Sequence, residues 1–381
     1  MKAAVFYGAR DFRVEDLEKP RIEPTDVLVR VKACGICGSD LHAYKEGIFS
    51  RPGFVMGHEM AGEVVEVGRR VQCIAVGDRV VPLGGVREQG CGECFWCQRA
   101  QPQWCSSVSH RPCGECPQCQ SGKFWLCEKN QRYMLAGYSR NGGYAEYMFV
   151  PDASLNKNVY KIPDSVSFEE ATFLEPLWGA YKWAEMAEPL PYDTAVVTGL
   201  GTIGILVMQV LRQRVSRIIV SDVSAKRLQL ARGLGADIVI DAATEDPLAK
   251  VIELTGNGRS FSGRGGGRAD IVIECSGAPA AFKQAIEMTR SGGHIVLVGL
   301  YEHEISFDVN RIIHKQLKLV SSFNRGRRTP PEEISDCMDL IASGRVRLKP
   351  LISHEFPLDE IMPAFEAQTK ASESVKVVVK P

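Results

Sequence analysis

The feature that most constrains the fold is a series of short apolar segments that alternate with helical patterns from about residue 193 to residue 300. The strand-like pieces AVVTG, RIIVSD, DIVI, DIVIECSG and HIVLVGL lack inward–outward alternation, and amphipathic pieces such as AKRLQLARGLG join them. Such strands are typical of a parallel sheet covered by helices on both faces. The sequence therefore predicts an α/β protein with a doubly wound domain of about 140 residues.

A glycine-rich turn follows the first of these strands. The segment GLGTIG (199–204) opens a helical pattern, and Asp222 ends the next strand, 18 residues beyond Gly204. Glycines so placed let the backbone approach a pyrophosphate at a helix N-terminus, and the carboxylate accepts hydrogen bonds from ribose hydroxyls. The motif predicts a dinucleotide site. Asp222 would repel a 2′-phosphate, which favours NAD, while Lys226 and Arg227 keep NADP as the alternative.

One segment interrupts the alternating pattern just before a strand. It reads GNGRSFSGRGGGR over residues 256–268 and is rich in glycine and arginine. Such a composition predicts a flexible surface loop.

Eight of the thirteen cysteines lie in one stretch of the N-terminal half. They form two sets with C-x2-C-x2-C-x7-C spacing, namely Cys91, Cys94, Cys97 and Cys105, and Cys113, Cys116, Cys119 and Cys127. The two 15-residue stretches share seven identities, which indicates a tandem duplication. In a reducing compartment, a cluster of this kind favours metal over disulfides.

Composition excludes several classes of protein. The 381 residues are 45% hydrophobic and 24% charged, as in ordinary globular proteins, and the length allows two domains. The 46 basic residues balance 46 acidic ones, so no charge excess attracts nucleic acid or anionic lipid. The longest apolar stretch is half a membrane span, and the first residues lack a signal-peptide pattern. We expect a cytoplasmic protein that binds neither nucleic acid nor membrane.

The N-terminal third is predicted to be β-rich and carries two segments with metal-ligand side chains. These segments are CGSDLH (37–42) and GHE (57–59). Alone, Cys37 could be a small buried side chain and His58 a histidine of the core. Their occurrence together, in a chain with a dinucleotide motif, favours a functional site instead.

Taken together, these segments resemble the zinc-dependent medium-chain dehydrogenase/reductase family. The likeness runs nearly end to end, through CGICGSDLH, GHEMAGEVVEVG, GDRVV, GGYAEY, FLEPL, GLGTIG, DIVIECSG, GGHIVLVGL and KPLISHEFPLDEI. It implies a GroES-like catalytic domain made of residues 1–176 and 319–381, with a cysteine lobe at 91–127. A Rossmann domain at 177–318 would be inserted into it. We also expect a homodimer or homotetramer.

The resemblance also implies the role of each site residue. Cys37 and His58 would bind a catalytic zinc ion, Glu59 would bind it or lie beside its ligands, and Glu175 would bind it or hold its water. Ser39 and His42 would relay the proton. The dinucleotide contacts implied by the family motif or by the glycine turn are Gly199, Gly201, Ile203, Gly204, Asp222, Arg227, Val298 and Leu300.

The spacing of the two cysteine sets matches the structural zinc lobe of this family, in which four thiolates hold a tetrahedral ion. A typical member has one such lobe, so the second set is a departure. We expect two structural zinc ions. The alternatives are one zinc with a reduced second set, and a mixed pairing in which C-x2-C pairs from both sets share an ion.

The activity implied is the reversible oxidation of a secondary alcohol or polyol to a ketone. Zinc would lower the pKa of the substrate hydroxyl by Lewis acidity, and hydride would pass to the nicotinamide. Glu175 favours the sorbitol, threonine and butanediol branch, whereas Ala43 and the stretch 323–325 depart from the sorbitol dehydrogenase pattern. The alternatives are an NADP-dependent aldose or primary alcohol dehydrogenase, a non-catalytic zinc-lobe binding protein, and an iron–sulfur carrier. The gap of seven residues before each fourth cysteine argues against the last of these.

Overall fold

The computed structural model describes residues 1–48, 50, 52–83, 115–121, 141–261, 263, 265–321, 330–370 and 372–381. Of the clustered cysteines, Cys116 and Cys119 fall within these ranges. The predicted zinc ligands Cys91, Cys94, Cys97, Cys105, Cys113 and Cys127 lie outside the described residues. Within these ranges, every helix is too short or too polar to cross a membrane.

The described strands, in chain order, are β1 (Lys2–Gly8), β2 (Asp11–Asp16), β3 (Val27–Gly35), β4 (Phe54–Val55), β5 (Glu59–Val67), β6 (Arg79–Pro82), β7 (Tyr147–Val150), β8 (Val159–Lys161), β9 (Thr194–Thr198), β10 (Arg217–Asp222), β11 (Ile238–Asp241), β12 (Gly258–Arg259), β13 (Gly265–Gly266), β14 (Ala269–Glu274), β15 (Thr289–Leu297), β16 (Lys318–Val320), β17 (Ile352–Pro357) and β18 (Lys376–Lys380). The described α-helices are α1 (Gly38–Glu46), α2 (Pro117–Gln120), α3 (Phe168–Ala171), α4 (Leu174–Met186), α5 (Thr202–Leu211), α6 (Ala225–Gly233), α7 (Pro247–Thr255), α8 (Pro279–Met288), α9 (Asn310–Lys315), α10 (Pro330–Ala342) and α11 (Ile361–Thr369).

The chain divides into two compact units. The first comprises Met1–Glu175, Ile352–Thr369 and Lys376–Pro381, and the second comprises Pro176–Leu351 and Lys370–Val375. The domain boundaries at 176 and 318 remain predictions, because compactness alone does not define a functional domain.

The first unit is β-rich. Its larger sheet has the order β17-β18-β3-β5-β6-β8, with β7 also paired to β3, and a smaller sheet has the order β2-β1-β4. The chain's C-terminal segment completes this unit, because Phe365 of α11 stacks on Phe12 with ring centroids 4.6 Å apart and is fully buried. Aromatic contacts of this kind bury large apolar areas and fix the packing.

The second unit contains a parallel sheet with the order β11-β10-β9-β14-β15-β16. Counted from β9, this is the order 3-2-1-4-5-6 of dinucleotide-binding domains. The central strands are apolar on both faces, and Val196, Ile219 and Val272 lie side by side with no exposed surface. The predicted α/β fold, a GroES-like β-rich domain with a doubly wound Rossmann domain, is confirmed.

The prediction of a flexible loop at 256–268 is wrong in part. Strands β12 and β13 pair in antiparallel fashion, and Gly266 N donates to Asn257 Oδ1 over 3.0 Å. Gly267 is buried, and a Cβ at this position would lie 2.5 Å from Met288 O. The glycines that suggested flexibility instead allow the backbone to pack closely against a neighbouring turn.

Candidate active site

Three metal-ligand side chains converge where two strands of the first unit pair. Strand β3 leads into Cys37, which caps α1, and His58 immediately precedes β5. Gly35 faces Glu59 in the antiparallel register of these strands. The ligand atoms of Cys37, His58 and Glu59 consequently lie within 4.8 Å of one another. A sulfur, a nitrogen and an oxygen donor in this arrangement suit zinc.

A buried carboxylate lies behind His58. Asp40 has no exposed surface, and its Oδ2 accepts hydrogen bonds from Cys37 N (3.0 Å) and from the Tyr144 hydroxyl (2.8 Å). Its Oδ1 lies 3.6 Å from His58 Nδ1. Burial by itself would raise the pKa of Asp40, but the charge of His58 and the donated hydrogen bonds hold it below its ordinary value. Such a carboxylate orients a metal-binding imidazole.

Glu59 forms an ion pair inside the unit. Its carboxylate accepts a hydrogen bond from Lys376 Nζ, which also donates to Ile36 O over 3.1 Å, and both charged side chains are 1% exposed. Burial by itself would lower the pKa of Lys376, but Glu59, Cys37 and Glu175 raise it above its ordinary value. A protonated lysine therefore balances negative charge among the candidate ligands.

The other predicted catalytic residues lie on two helices. Glu175 is half-buried in the first turn of α4 and is not one of the three converging donors, although its charge acts on Lys376. Ser39 and His42 are half-buried and three residues apart on α1, so they share a face of that helix. His42 Nδ1 lies 3.3 Å from Glu46 Oε1.

The glycine turn in the second unit has the shape that its sequence predicts. Gly199 has a φ of +84°, and a Cβ on Gly204 would lie 1.8 Å from Gly199 O. Gly201 caps α5 without a side-chain hydrogen bond, and a Cβ there would meet no atom within 4 Å. Ile203 is half-buried in the first turn of α5. The open space at Gly201 and the start of α5 fit a phosphate group.

Asp222 links the next strand to this turn. Its side chain accepts hydrogen bonds from Leu200 N (2.6 Å) and Ser224 N (2.8 Å), and the residue is 8% exposed. Arg227 donates to Ser374 O over 2.9 Å, and burial lowers its pKa although Asp222 raises it. The predicted ribose contacts Asp222 and Arg227 therefore lie near each other.

The predicted nicotinamide segment rests on a buried acid that sequence reasoning missed. Val298 N donates to Glu274 O over 2.8 Å, while Leu300 is 48% exposed. The Glu274 side chain has no exposed surface and accepts hydrogen bonds from Ser276 N (2.7 Å) and the Tyr301 hydroxyl (2.5 Å). These bonds hold the loops after β14 and β15 together.

Sequence reasoning also did not assign Asp40, Tyr144 or Lys376 to the site. A signal was available for two of the missed charged residues, because Lys376 begins and Glu274 ends a mainly apolar strand, in VKVVVK and DIVIECSG. Buried charges are rare unless they are paired, so a charge in such a strand indicates a buried partner.

Comparisons with known proteins agree with this architecture. Residues 23–110 match the family model described as alcohol dehydrogenase GroES-like domain, and residues 202–343 match zinc-binding dehydrogenase. L-threonine 3-dehydrogenase of Pyrococcus abyssi is 33% identical over 385 residues, which cover 99% of this chain and 97% of that protein. Sorbitol dehydrogenase of Bacillus subtilis is 31% identical over 389 residues, which cover 100% and 97%.

A solved structure is similar over the whole chain. It is 2R,3R-butanediol dehydrogenase from Bacillus subtilis, with a TM-score of 0.79 and 29% identity, and the match covers 100% of this chain and 99% of that one. The relatives named here are dehydrogenases, so the protein is an oxidoreductase. The chain belongs to the zinc-dependent medium-chain dehydrogenase/reductase family.

Proposed function

We propose that this protein reversibly oxidises a secondary alcohol or polyol to a ketone, with NAD as the electron acceptor and a catalytic zinc ion. The observation that carries the proposal is the convergence of Cys37, His58 and Glu59 within 4.8 Å. The ion would supply Lewis acidity toward the substrate hydroxyl. Support for the substrate class comes from Glu175 and from relatives named for threonine, sorbitol and butanediol.

In this proposal, each residue near the ion has a separate task. Cys37 and His58 would bind zinc, Glu59 would bind it or lie beside these ligands, and Glu175 would bind it or hold its water, with one position open for substrate. Asp40, whose Oδ1 lies 3.6 Å from His58 Nδ1, would hold the orientation of the His58 ring. Lys376 offsets the negative charge of Glu59.

Ser39 and His42 would carry the substrate proton away from the site. They lie one helical turn apart on α1 and are half-buried, an arrangement suited to passing a proton outward through a hydroxyl and then an imidazole. Imidazole suits the outer position because one ring nitrogen can accept a proton while the other donates one.

NAD is favoured over NADP by the carboxylate of Asp222. This group lies at the end of β10 and is bonded to Leu200 N, so it is fixed beside the glycine turn where the ribose would bind. A 2′-phosphate would meet its negative charge. The roles of Gly199, Gly201, Ile203 and Gly204 follow from the same turn, and Val298 and Leu300 would lie beside the nicotinamide.

For the cysteine cluster, we propose two structural zinc ions. The support is the repeated spacing of the two sets, each of which has the number of thiolates that a tetrahedral site needs. With the catalytic ion, the chain would then hold three zinc ions.

The decisive experiment is a substrate panel. Polyols, vicinal diols, threonine, aldoses and primary aliphatic alcohols are each supplied with NAD and with NADP, and reduced nicotinamide is followed by absorbance. We expect turnover of a secondary alcohol or polyol with NAD. Turnover of primary alcohols alone would contradict the proposed branch.

Cys37→Ser and His58→Ala should each lose zinc and activity, and wild-type turnover with full zinc in both variants would refute the site.

A further inference from the structure

A cavity of about 350 Å³ lies under the β12–β13 hairpin, within the second unit. Its lining comes from the hairpin, from the start of β15 and from the end of α9. These segments precede or begin parallel strands, so the cavity lies at the amino edge of the sheet. The glycine turn follows β9 and lies at the opposite, carboxyl edge. The cavity is therefore distinct from the dinucleotide site.

Four cationic side chains line this cavity, namely Arg259, Arg268, Arg290 and Lys315. Its lining contains no carboxylate among the described residues. A concentration of cations that is not matched by acids attracts anions.

Only part of this positive charge is balanced nearby. Arg290 donates to Asp270 over 2.5 Å, and Arg311, behind the hairpin, pairs with Glu287. In the described part of the chain, Arg259 and Arg268 have neither a hydrogen-bond acceptor nor an acidic partner for their guanidinium groups. Among the four cations of the described lining, Arg290 has a carboxylate partner, while Glu287 and Asp308 act on Arg311 outside the lining.

A buried lysine lines the cavity, and a buried arginine lies next to it. Lys315 is 3% exposed, and its ammonium donates to Ile286 O (2.7 Å) and Glu287 O (3.0 Å), which leaves one of its three protons for a ligand. Burial lowers the pKa of Lys315 to about 8, so the group is still mainly protonated at neutral pH. Arg311 is 7% exposed, and its Nη1 is buried without a hydrogen bond in the described structure.

The backbone around the cavity is also specialised. A Cβ on Gly266 would lie 2.8 Å from Glu287 O, and one on Gly267 would lie 2.5 Å from Met288 O. Glycine at both positions allows the hairpin to pack onto the turn between α8 and β15. This packing places the hairpin beside Lys315, because a Cβ on Gly266 would lie 3.1 Å from Lys315 Nζ.

We infer that this cavity binds a small anion that carries a phosphate group. Guanidinium groups bind phosphate through paired hydrogen bonds, and a fixed ammonium adds a point charge. The volume is within the range of small-molecule sites. The phosphate group could belong to inorganic phosphate or to a phosphomonoester, and both present negatively charged phosphate oxygens.

The test is calorimetric titration of the full-length protein with inorganic phosphate and with glycerol phosphate, at constant ionic strength maintained with chloride. The variant Arg259→Gln/Arg268→Gln should bind either anion about tenfold more weakly than wild type. Both side chains are exposed and unbonded, so the unfolding temperature should not change. Any phosphate bound at the glycine turn is unaffected by this variant.

Arg232→Gln is the matched control, because Arg232 is an exposed arginine of α6 in the same unit. It should bind phosphate as wild type does. Equal phosphate affinity in wild type and the double variant would overturn the inference, as would equal weakening by Arg232→Gln. Tighter binding of glycerol phosphate than of phosphate would identify an organic phosphate as the ligand, and tighter binding of inorganic phosphate would identify phosphate itself. Dehydrogenase turnover should be the same in all three proteins, so the result is independent of the proposed function.

Discussion

Asp40 is fully buried and takes part in two sets of contacts. One carboxylate oxygen accepts hydrogen bonds from Cys37 N and Tyr144, which fix the start of α1, and the other faces His58. The Asp40 side chain thus holds the backbone of Cys37 and also faces the side chain of His58. It therefore couples the geometry of these two candidate ligands. We therefore regard Asp40 as a positioning residue of the zinc site.

Replacement of Asp40 by asparagine tests this assignment. The amide can still accept from Cys37 N, but it has no charge to stabilise the His58 ring as a zinc ligand. We expect zinc affinity to fall about 10–100-fold, as measured by competition with a chelator. Tyr144→Phe is the matched control, because it removes one hydrogen bond to Asp40 and leaves the carboxylate facing His58, so its effect should be smaller. Unchanged zinc affinity in Asp40→Asn would show that Asp40 serves only to cap the helix.

The candidate ligands could be recognised from the sequence, but their partners could not. Cys37 and His58 belong to the short segments CGSDLH and GHE, each of which contains more than one side chain that can bind metal or transfer protons. Tyr144 is 104 residues from Asp40, and Lys376 is 317 residues from Glu59. The pairing of β18 with β3 in the folded sheet creates the second contact. Local spacing carries no information about such pairs, so only the place of Lys376 in the apolar segment VKVVVK indicated that it was unusual.

In the turn between β9 and α5, one glycine is required by the packing and another leaves space for a ligand. A Cβ on Gly204 would lie 1.8 Å from a carbonyl oxygen, whereas one on Gly201 would meet no atom within 4 Å. Gly201 also has a φ of −65°, which any residue adopts. Alanine at Gly204 should therefore distort the turn, and alanine at Gly201 should leave it intact.

We predict that Gly201→Ala keeps the unfolding temperature of wild type and binds NAD at least about tenfold more weakly, because its methyl group occupies the space left for the pyrophosphate. Gly204→Ala, as the comparison, should lower the unfolding temperature as well. Calorimetric titration with NAD and thermal unfolding measure the two effects. Wild-type NAD affinity in Gly201→Ala would show that the pyrophosphate does not approach this residue.

The last strand is tied to the first unit by an ion pair whose strength depends on pH. Lys380 of β18 lies 2.7 Å from Glu169 in α3 and 2.6 Å from Glu355 in β17. Burial by itself would raise the pKa of Glu169, but the hydrogen bond from Lys380 and other local bonds hold it below its ordinary value. The native carboxylate therefore binds a proton less readily than the unfolded one. The stabilising effect of Glu169 is complete at pH values above the pKa that this group has in the unfolded chain. It disappears as the pH falls through the pKa that the group has in the native protein.

Glu169→Gln should consequently lower the free energy of unfolding by about 0.5 kcal/mol at neutral pH, a small value because Lys380 is partly exposed. In acid, below the native pKa of Glu169, the variant and wild type should be equally stable. Denaturant unfolding at the two pH values measures the difference. In a Lys380→Met background, the effect of Glu169→Gln on the free energy of unfolding should depend less on pH. If its pH dependence is unchanged there, the effect belongs to another group.

At the scale of elements, periodicity predicted the parallel sheet well because its strands are apolar on both faces. The same reasoning was wrong in part for residues 256–268. Composition alone indicated a flexible loop there, whereas the described residues include a short hairpin with two buried glycines. A glycine-rich sequence occurs both in flexible loops and in tightly packed turns. Only the surrounding backbone distinguishes the two.

For the whole molecule, the repeated cysteine set has the largest consequence for metal content, and six of the eight cysteines lie outside the described residues. Two independent lobes require that each set of four thiolates hold its own ion. A mixed arrangement would instead place Cys91, Cys94, Cys113 and Cys116 around one ion, with C-x2-C-x18-C-x2-C spacing. Both arrangements predict three zinc ions per chain, including the catalytic ion, so total zinc alone does not distinguish them.

Serine substitution at Cys94 and Cys116 separates the two arrangements, because loss of one thiolate opens a tetrahedral site and weakens it strongly. We expect metal analysis to find three zinc ions in wild type, two in Cys94→Ser, two in Cys116→Ser and one in the double variant. Cys73→Ser, at an exposed cysteine outside both sets, should retain all three. Two ions in the double variant would indicate that both cysteines bind the same ion and would support mixed pairing. Two ions in wild type would mean that only one structural ion is bound.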